Sequence, residues 1–325
     1  MNNSKLKVVK NVFLGKYFGK KTPLCIDFRI TTKCNNKCEY CNVPEKTSDE
    51  LNTEQIFSML DEAKRLGCIY FDISGGEPLL RKDIGQIIDY AKNLGLIVGM
   101  VTNGKLVHEK IKEIKNLDTL AISLDGSKEV HDKLRGEGSY SSAVNAIKIA
   151  KGNNLKVMLF TVLSANNIDQ IDSLIDFAEK EKVFLHVNKL FKHNSYTTNV
   201  NFLVPNKKEF KIAINKLIKS SSSCIIDSKE YLRYLLGDLG LPKCYAGKLF
   251  CRIDPNGDMY PCQDMLGRIK GINVNEYGFK EAFKMLKSSK CSICNCALYI
   301  EFNNIFAKFP FNLKKEIKRV RRLKS

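Results

Sequence analysis

Nine of the 12 cysteines fall into two groups, and their spacing sets the chemistry that the chain can carry. The first group is Cys34-Asn35-Asn36-Lys37-Cys38-Glu39-Tyr40-Cys41, three thiols on one short loop. Three thiolates so placed can hold three irons of a [4Fe–4S] cluster and leave the fourth iron open to an exchangeable ligand. On spacing alone, a zinc site short of its fourth ligand would look the same. The second group is Cys244, Cys251, Cys262, Cys291, Cys294 and Cys296. Asp254-Pro255-Asn256-Gly257 is a turn signal between two short β-like runs, so a hairpin should bring Cys244 near Cys262. With the Cys291/Cys294 pair, four thiolates converge, as in a four-cysteine zinc ribbon or a second cluster site.

Composition supports ligation rather than cross-linking. The chain has 325 residues, 44% hydrophobic and 27% charged, which excludes a disordered or fibrous protein. No apolar run approaches the roughly 20 residues of a membrane span, and residues 1–21 have the charge of a signal peptide without its apolar stretch. This places the chain in the cytosol, where structural disulfides are rare and cysteine-rich segments bind metals or catalyse. Cys25, Cys68 and Cys224 sit in apolar or helical contexts and read as buried bystanders.

The elements that must position the first group alternate in type. Strands are expected near 26–31, 69–74, 97–101, 120–124, 156–163 and 183–190, with helices near 53–66, 84–94, 109–116, 142–151 and 168–181. Such alternation specifies a parallel sheet with crossover helices, either open and doubly wound or part of a (β/α) barrel. In both, ligands sit at the carboxyl ends of the strands. The turns after four strands, Thr31-Thr32-Lys33, Ser74-Gly75-Gly76-Glu77, Thr102-Asn103-Gly104 and Ser123-Leu124-Asp125-Gly126, should therefore face one site. Past residue 205 the alternation stops and the second cysteine group follows.

Over about residues 22–195 the sequence resembles the radical SAM superfamily. The resemblance rests on the cysteine loop, on Tyr40 just before its last cysteine, on Ser74-Gly75-Gly76-Glu77-Pro78, and on Ser123 and Arg135 further along. It implies a partial (β/α)6 TIM-like barrel. Cys34, Cys38 and Cys41 would hold a [4Fe–4S] cluster whose open iron chelates S-adenosylmethionine (SAM). Tyr40 would lie against the adenine, Gly75, Gly76 and Glu77 would hold the amino group, and Ser123 and Arg135 would contact ribose and carboxylate. Reductive cleavage of SAM would then give a 5′-deoxyadenosyl radical that abstracts a substrate hydrogen, with Thr102 and Asn103 facing the substrate.

Cys244, Gly257 and Cys262 are similar to the opening of the SPASM/twitch extension of such enzymes, although the long downstream cysteine series is missing. The resemblance therefore implies one auxiliary [4Fe–4S] cluster, bound by Cys244, Cys262, Cys291 and Cys294 with Cys251 and Cys296 in reserve. Domains are expected at 1–21 (basic amphipathic segment), 22–205 (radical SAM partial barrel), 206–300 (linker helices and auxiliary-cluster domain) and 301–325 (basic amphipathic tail). An electron donor such as flavodoxin or ferredoxin is implied as partner.

The substrate reading comes from charge. Of the net +18, residues 1–21 carry +6 and residues 314–325 another +6. Both ends bear apolar stripes, Leu6, Val9, Phe13 and Tyr17 at the start and Leu313, Ile317, Val320 and Leu323 at the finish. Basic amphipathic helices lie on anionic membrane surfaces or dock on their own protein. The expectation is a peripheral enzyme on the cytoplasmic face acting on a lipid or isoprenoid, with the aromatics of 302–311 guiding an apolar substrate. Nucleic acid is set aside for want of an RNA module. The alternatives are a ribosomal-peptide maturase and a non-catalytic metal-stapled binding protein. The peptide ranks behind the small molecule because only 33 residues precede Cys34, too few for a peptide-binding domain, so a separate recognition protein would be needed.

Overall fold

The computed structural model describes residues 3–46, 49–191, 202–288, 291 and 293–308. In chain order the elements are α1 (Asn3–Phe18), β1 (Cys25–Arg29), α2 (Thr53–Leu66), β2 (Tyr70–Ser74), α3 (Ile84–Asn93), β3 (Ile97–Thr102), α4 (Val107–Ile114) and β4 (Thr119–Ser123). There follow α5 (Lys128–Arg135), α6 (Ser139–Gly152), β5 (Val157–Leu163), α7 (Ile171–Glu181) and β6 (Phe184–Lys189). The C-terminal part holds α8 (Lys207–Lys219), α9 (Lys229–Leu236), β7 (Phe250–Ile253), β8 (Asp258–Tyr260), β9 (Ile272–Asn273), α10 (Val274–Met285) and α11 (Ala297–Lys308).

Local chemistry accounts for these bounds. Helix α2 opens on a capping box, in which the Asn52 side chain accepts from Gln55 N and the Gln55 side chain accepts from Asn52 N. It closes on Gly67 in the left-handed region. Ile56, Met59, Leu60 and Ala63 give it one buried face. Helix α5 was not expected; Ser127 caps it by accepting from Val130 N, and it is only 8 residues long.

All nine strands form one sheet in the order β6-β5-β4-β3-β2-β1-β7-β8-β9. Strands β1 to β6 are parallel in sequence order, and the sheet does not close, giving a partial (β/α)6 barrel. The C-terminal hairpin extends this sheet, because β7 pairs parallel to β1 with Ile26 opposite Cys251. Beyond β6, the Leu185 N–H donates to Cys224 O and Ile226 N–H donates to Leu185 O, which covers part of that edge.

Alternation along the strands separates two environments. Phe71, Ile73, Val98, Met100, Leu120, Ile122, Leu159, Leu185 and Val187 are buried in the main hydrophobic core. Between them Asp72, Ser74, Phe160, Val162, His186 and Asn188 are only partly buried, on the opposite face of their strands, while Gly99 and Ala121 are buried. An unclosed barrel thus keeps a polar-lined interior where a closed one would be filled by aliphatic layers.

The terminal stripes fare differently. In α1, Asn11 and Gly15 are buried, a Cβ on Gly15 would strike Leu249, and Phe13, Tyr17 and Phe18 are exposed. Lys16 Nζ donates to Ala307 O (2.7 Å) and Lys21 Nζ to Lys284 O (2.6 Å), so two of the basic side chains meet the C-terminal ends of α11 and α10. The stripe Leu313, Ile317, Val320 and Leu323 lies outside the described residues. Of the aromatics at 302–311, Phe309 and Phe311 lie outside the described residues, while Phe302 and Phe306 pack inward. They stack on each other (5.9 Å) beside Phe250 and Tyr299 in a second apolar cluster. Among the described residues no helix is long and apolar enough to cross a membrane.

Candidate active site and auxiliary cysteine pocket

The first cysteine group follows β1 directly and is held to its neighbours by backbone. Gly76 N donates to Thr31 O (2.8 Å), Glu77 N to Lys33 O (2.8 Å) and Glu39 N to Leu134 O (2.9 Å). Gly75 and Gly76 make this approach possible. A Cβ on Gly75 would stand 2.6 Å from Thr31 O, and one on Gly76 would overlap the Lys33 carbonyl. The glycines bind the β2 turn to the cysteine loop, a role that sequence spacing does not reveal.

Glu77 is wholly buried, and its carboxylate is largely engaged. Oε1 accepts from Thr102 Oγ1 (2.8 Å) and Leu79 N (3.1 Å), and Oε2 accepts from Asn103 N (2.8 Å). A carboxylate has about four acceptor positions, so room remains for roughly one more donor. Burial raises its pKa, while the bonds from Asn103, Thr102 and Leu79 oppose that. Thr102 and Asn103, expected to face a substrate, are instead engaged here. Asn103 Nδ2 also donates to Asn35 Oδ1 (2.7 Å) and lies 4.0 Å from Cys34 Sγ.

On the other side of the loop stands Asp125, which sequence reasoning quoted only as part of a turn. Its Oδ2 accepts from Arg135 Nε (2.6 Å) and Tyr40 OH (3.1 Å), its Oδ1 from Val162 N (2.9 Å), and no part of it is exposed. Arg135 also stands over the Tyr40 ring at 5.6 Å. Burial opposes the Arg135 charge, but Asp125 outweighs it and holds the pKa above the usual arginine range. Ser123, at the end of β4, is buried two residues before Asp125. The signal for Asp125 was available, since a carboxylate at a strand end inside an apolar context must be paired.

The donor set fits a cluster. Burial pushes the Cys34 thiol up to about 11 and raises Cys38, which Arg135 pulls back down; Cys34 feels the charges of both Cys38 and Cys41. Iron would remove those protons. Inside the loop, Asn36 is buried, and its side-chain amide beside Cys38 favours the thiolate there against the effect of burial.

The second group also converges. Cys244, Cys262, Cys291 and Cys294 line one pocket with Asp264, Tyr299 and Asn303. Asn303 Nδ2 and Asp264 Oδ1 in that wall are buried and unpartnered among the described residues. Cys251 and Cys296, held in reserve by sequence, are not in the pocket wall. Cys251 lies in the core of β7, close to Cys68, and Cys296 is buried just before α11. Among the described residues no three His, Cys, Asp or Glu side chains converge as a single metal ion would require.

A buried polar chain lies between the two sites. Ser74 Oγ donates to Asp27 Oδ1 (3.3 Å), Arg252 Nη1 to both Asp27 oxygens (2.8 and 2.7 Å), and Tyr299 OH to Asp27 Oδ2 (3.1 Å). Beside Asp27 on the neighbouring strand, Asp72 is raised to about 7 by burial and then by the Asp27 charge. His186 Nδ1 bonds Asp227 Oδ1 at 2.6 Å. Apart from Ser74, quoted in the β2 turn, none of these residues was singled out by sequence.

A partial barrel with a three-thiol loop at its strand ends and a four-thiol pocket nearby defines an iron–sulfur enzyme. A profile described as "Radical SAM superfamily" matches residues 28–178. The mycofactocin maturase MftC of Mycobacterium tuberculosis is 28% identical over 279 residues, covering 82% of this chain and 71% of that protein. Streptococcus suis SuiB has the same fold at TM-score 0.69 and 19% identity, covering 84% of this chain and 68% of SuiB. A third relative in fold, anSMEcpe with bound AdoMet, aligns at TM-score 0.65 and 17% identity, over 81% of this chain and 78% of that one. Residues 28–178 match the radical SAM superfamily profile, the chain shares its fold with SuiB, and four of the C-terminal cysteines that follow line one pocket.

Proposed function

We propose that the chain is a radical SAM maturase acting on a peptide, in place of the lipid or isoprenoid that the terminal charges suggest. The observation that carries this reading is the likeness to MftC, a named maturase, along 82% of the chain. It is supported by the fold shared with SuiB in its complex with the precursor peptide SuiA, over 90% of this chain. Residues 22–205 carry the SAM half, and the auxiliary half runs from 206 past the expected boundary at 300, because α11 spans that boundary and Asn303 lines the pocket.

When bound at Cys34, Cys38 and Cys41, the cluster and SAM together supply a 5′-deoxyadenosyl radical for hydrogen abstraction. The protein's own task is to place and shield. Tyr40, locked by Asp125, offers a ring face to the adenine. Arg135 is held by Asp125 through its Nε, and we assign its Nη groups to the SAM carboxylate. Glu77 fixes the turn whose backbone meets the amino group, with Thr102 and Asn103 as its positioning residues. Ser123 completes the ribose side. The four-thiol pocket holds the auxiliary cluster, and the polar barrel interior accommodates a peptide side chain. A flavodoxin- or ferredoxin-type protein delivers electrons.

Anaerobic incubation with SAM, a reductant and a small peptide encoded beside this gene tests the proposal. The expected result is 5′-deoxyadenosine together with a change in peptide mass. Deoxyadenosine with the peptide untouched, and a lipid extract altered instead, would return the substrate to the lipid reading.

A further inference from the structure

We propose that Asn303 is a hydrogen-bond donor to the auxiliary cluster and raises that cluster's reduction potential. The proposal rests on Cys244, Cys262, Cys291 and Cys294 being its ligands. Asn303 is on α11 and fully buried, and it shares the pocket wall with all four thiols. Its Oδ1 accepts from Tyr245 N at 2.9 Å, and this bond fixes the orientation of the amide. Exchanging O and N would set two donors against each other at Tyr245 and turn a carbonyl toward the thiols. With Oδ1 anchored next to Cys244, Nδ2 is left on the pocket side, without a hydrogen-bond partner among the described residues.

An amide N–H buried without an acceptor is costly, and such groups are rare in native structures. A cluster sulfur or a ligating thiolate is the acceptor that this one lacks. Hydrogen bonds to sulfur are one of the handles a protein has on cluster potential, beside net charge and solvent exposure. Reduction adds negative charge to the sulfurs, so an N–H pointed at them stabilises the reduced form. Asp264, in the same wall, works in the opposite sense, since a carboxylate beside the four thiols resists added negative charge. Asn303 is therefore the group in this pocket whose loss should make reduction harder.

The test uses the reconstituted full chain and two variants. Asn303→Asp keeps the acceptor for Tyr245 N and removes the donor; Asn303→Ser shortens the side chain without adding charge. Iron is counted, and the auxiliary midpoint is read by redox titration with electron paramagnetic resonance in the presence of SAM, which marks the N-terminal cluster's signal by perturbing it. Expected are about eight irons in all three proteins, an auxiliary midpoint moved to more negative potential in both variants and further in Asn303→Asp, and an N-terminal signal unchanged. An unmoved midpoint with iron retained overturns the proposal, as does loss of the auxiliary irons from both variants, which would make the amide a fold element. A wild-type chain with about four irons would remove the cluster assignment itself, a failure readable before any variant is compared.

Discussion

At the residue scale, Asp125 does the most for the SAM side, because one buried carboxylate orients both Arg135 and Tyr40. Asp125→Asn should leave the guanidinium buried without its counter-charge, a loss of about 3–5 kcal/mol when one partner of a buried pair is removed. The expected outcome is a lower unfolding midpoint in urea together with weaker SAM binding by calorimetry. Unchanged binding in a folded variant would detach Arg135 from SAM. Next to it, His131 Nδ1 accepts from Asp125 N (3.0 Å), which makes the ring neutral with its proton on Nε2. Burial first, and then Arg135, depress its pKa from 6.5 to about 4. The unfolded chain therefore takes up a proton in that window while the folded one does not, so stability is complete above pH 6.5 and falls as pH drops toward about 4. The contribution is at most about 1.4 kcal/mol per pH unit. Urea midpoints at pH 7 and pH 5.5 should show a shallower dependence in His131→Asn than in wild type.

At the scale of elements, the cysteine loop and the β2 turn act as one unit, since Gly76 admits no Cβ beside the Lys33 carbonyl. Gly76→Ala should push the two apart, abolishing SAM cleavage and the N-terminal irons while leaving about four irons in the auxiliary pocket. Iron analysis with 5′-deoxyadenosine detection checks this, and full activity would show that the turn has slack. The same elements show what was legible in sequence. Helix α2 could be bounded because its start and stop are local chemistry, Asn52 with Gln55 and then Gly67. The six parallel strands could be read because apolar runs and helical periods alternate. The pairing of β7 with β1 could not, because it joins residues about 225 positions apart and nothing near Phe250 names its neighbour. Its trace was the pair of opposite charges in otherwise apolar strands, Asp27 and Arg252. That Thr102 and Asn103 bond Glu77 could not be read, because spacing gives a strand end but not which neighbour the side chain meets. The four auxiliary thiols, by contrast, were placed together by turn chemistry and by the Cys291/Cys294 pair.

At the scale of the whole molecule, the question is what the terminal positive charge is for. Summed over sequence it resembles a membrane-binding surface, yet the fold uses part of it. Lys16 and Lys21 meet the last carbonyls of α11 and α10, and α1 seats Asn11 and Gly15 against the body. A cation at a helix C-terminus contributes about 0.3–1 kcal/mol, so the double variant Lys16→Met, Lys21→Met should lose about 0.6–2 kcal/mol of stability, seen as a lower thermal midpoint. Lysines engaged in this way are not available to lipid headgroups, where each would add roughly 1 kcal/mol. Flotation on anionic vesicles at low salt should therefore be the same for the double variant and wild type. A chain ending at Phe311 should keep its SAM cleavage. Should the double variant keep its thermal midpoint and lose flotation, α1 is a membrane element, and an amphiphilic substrate regains its claim over the peptide.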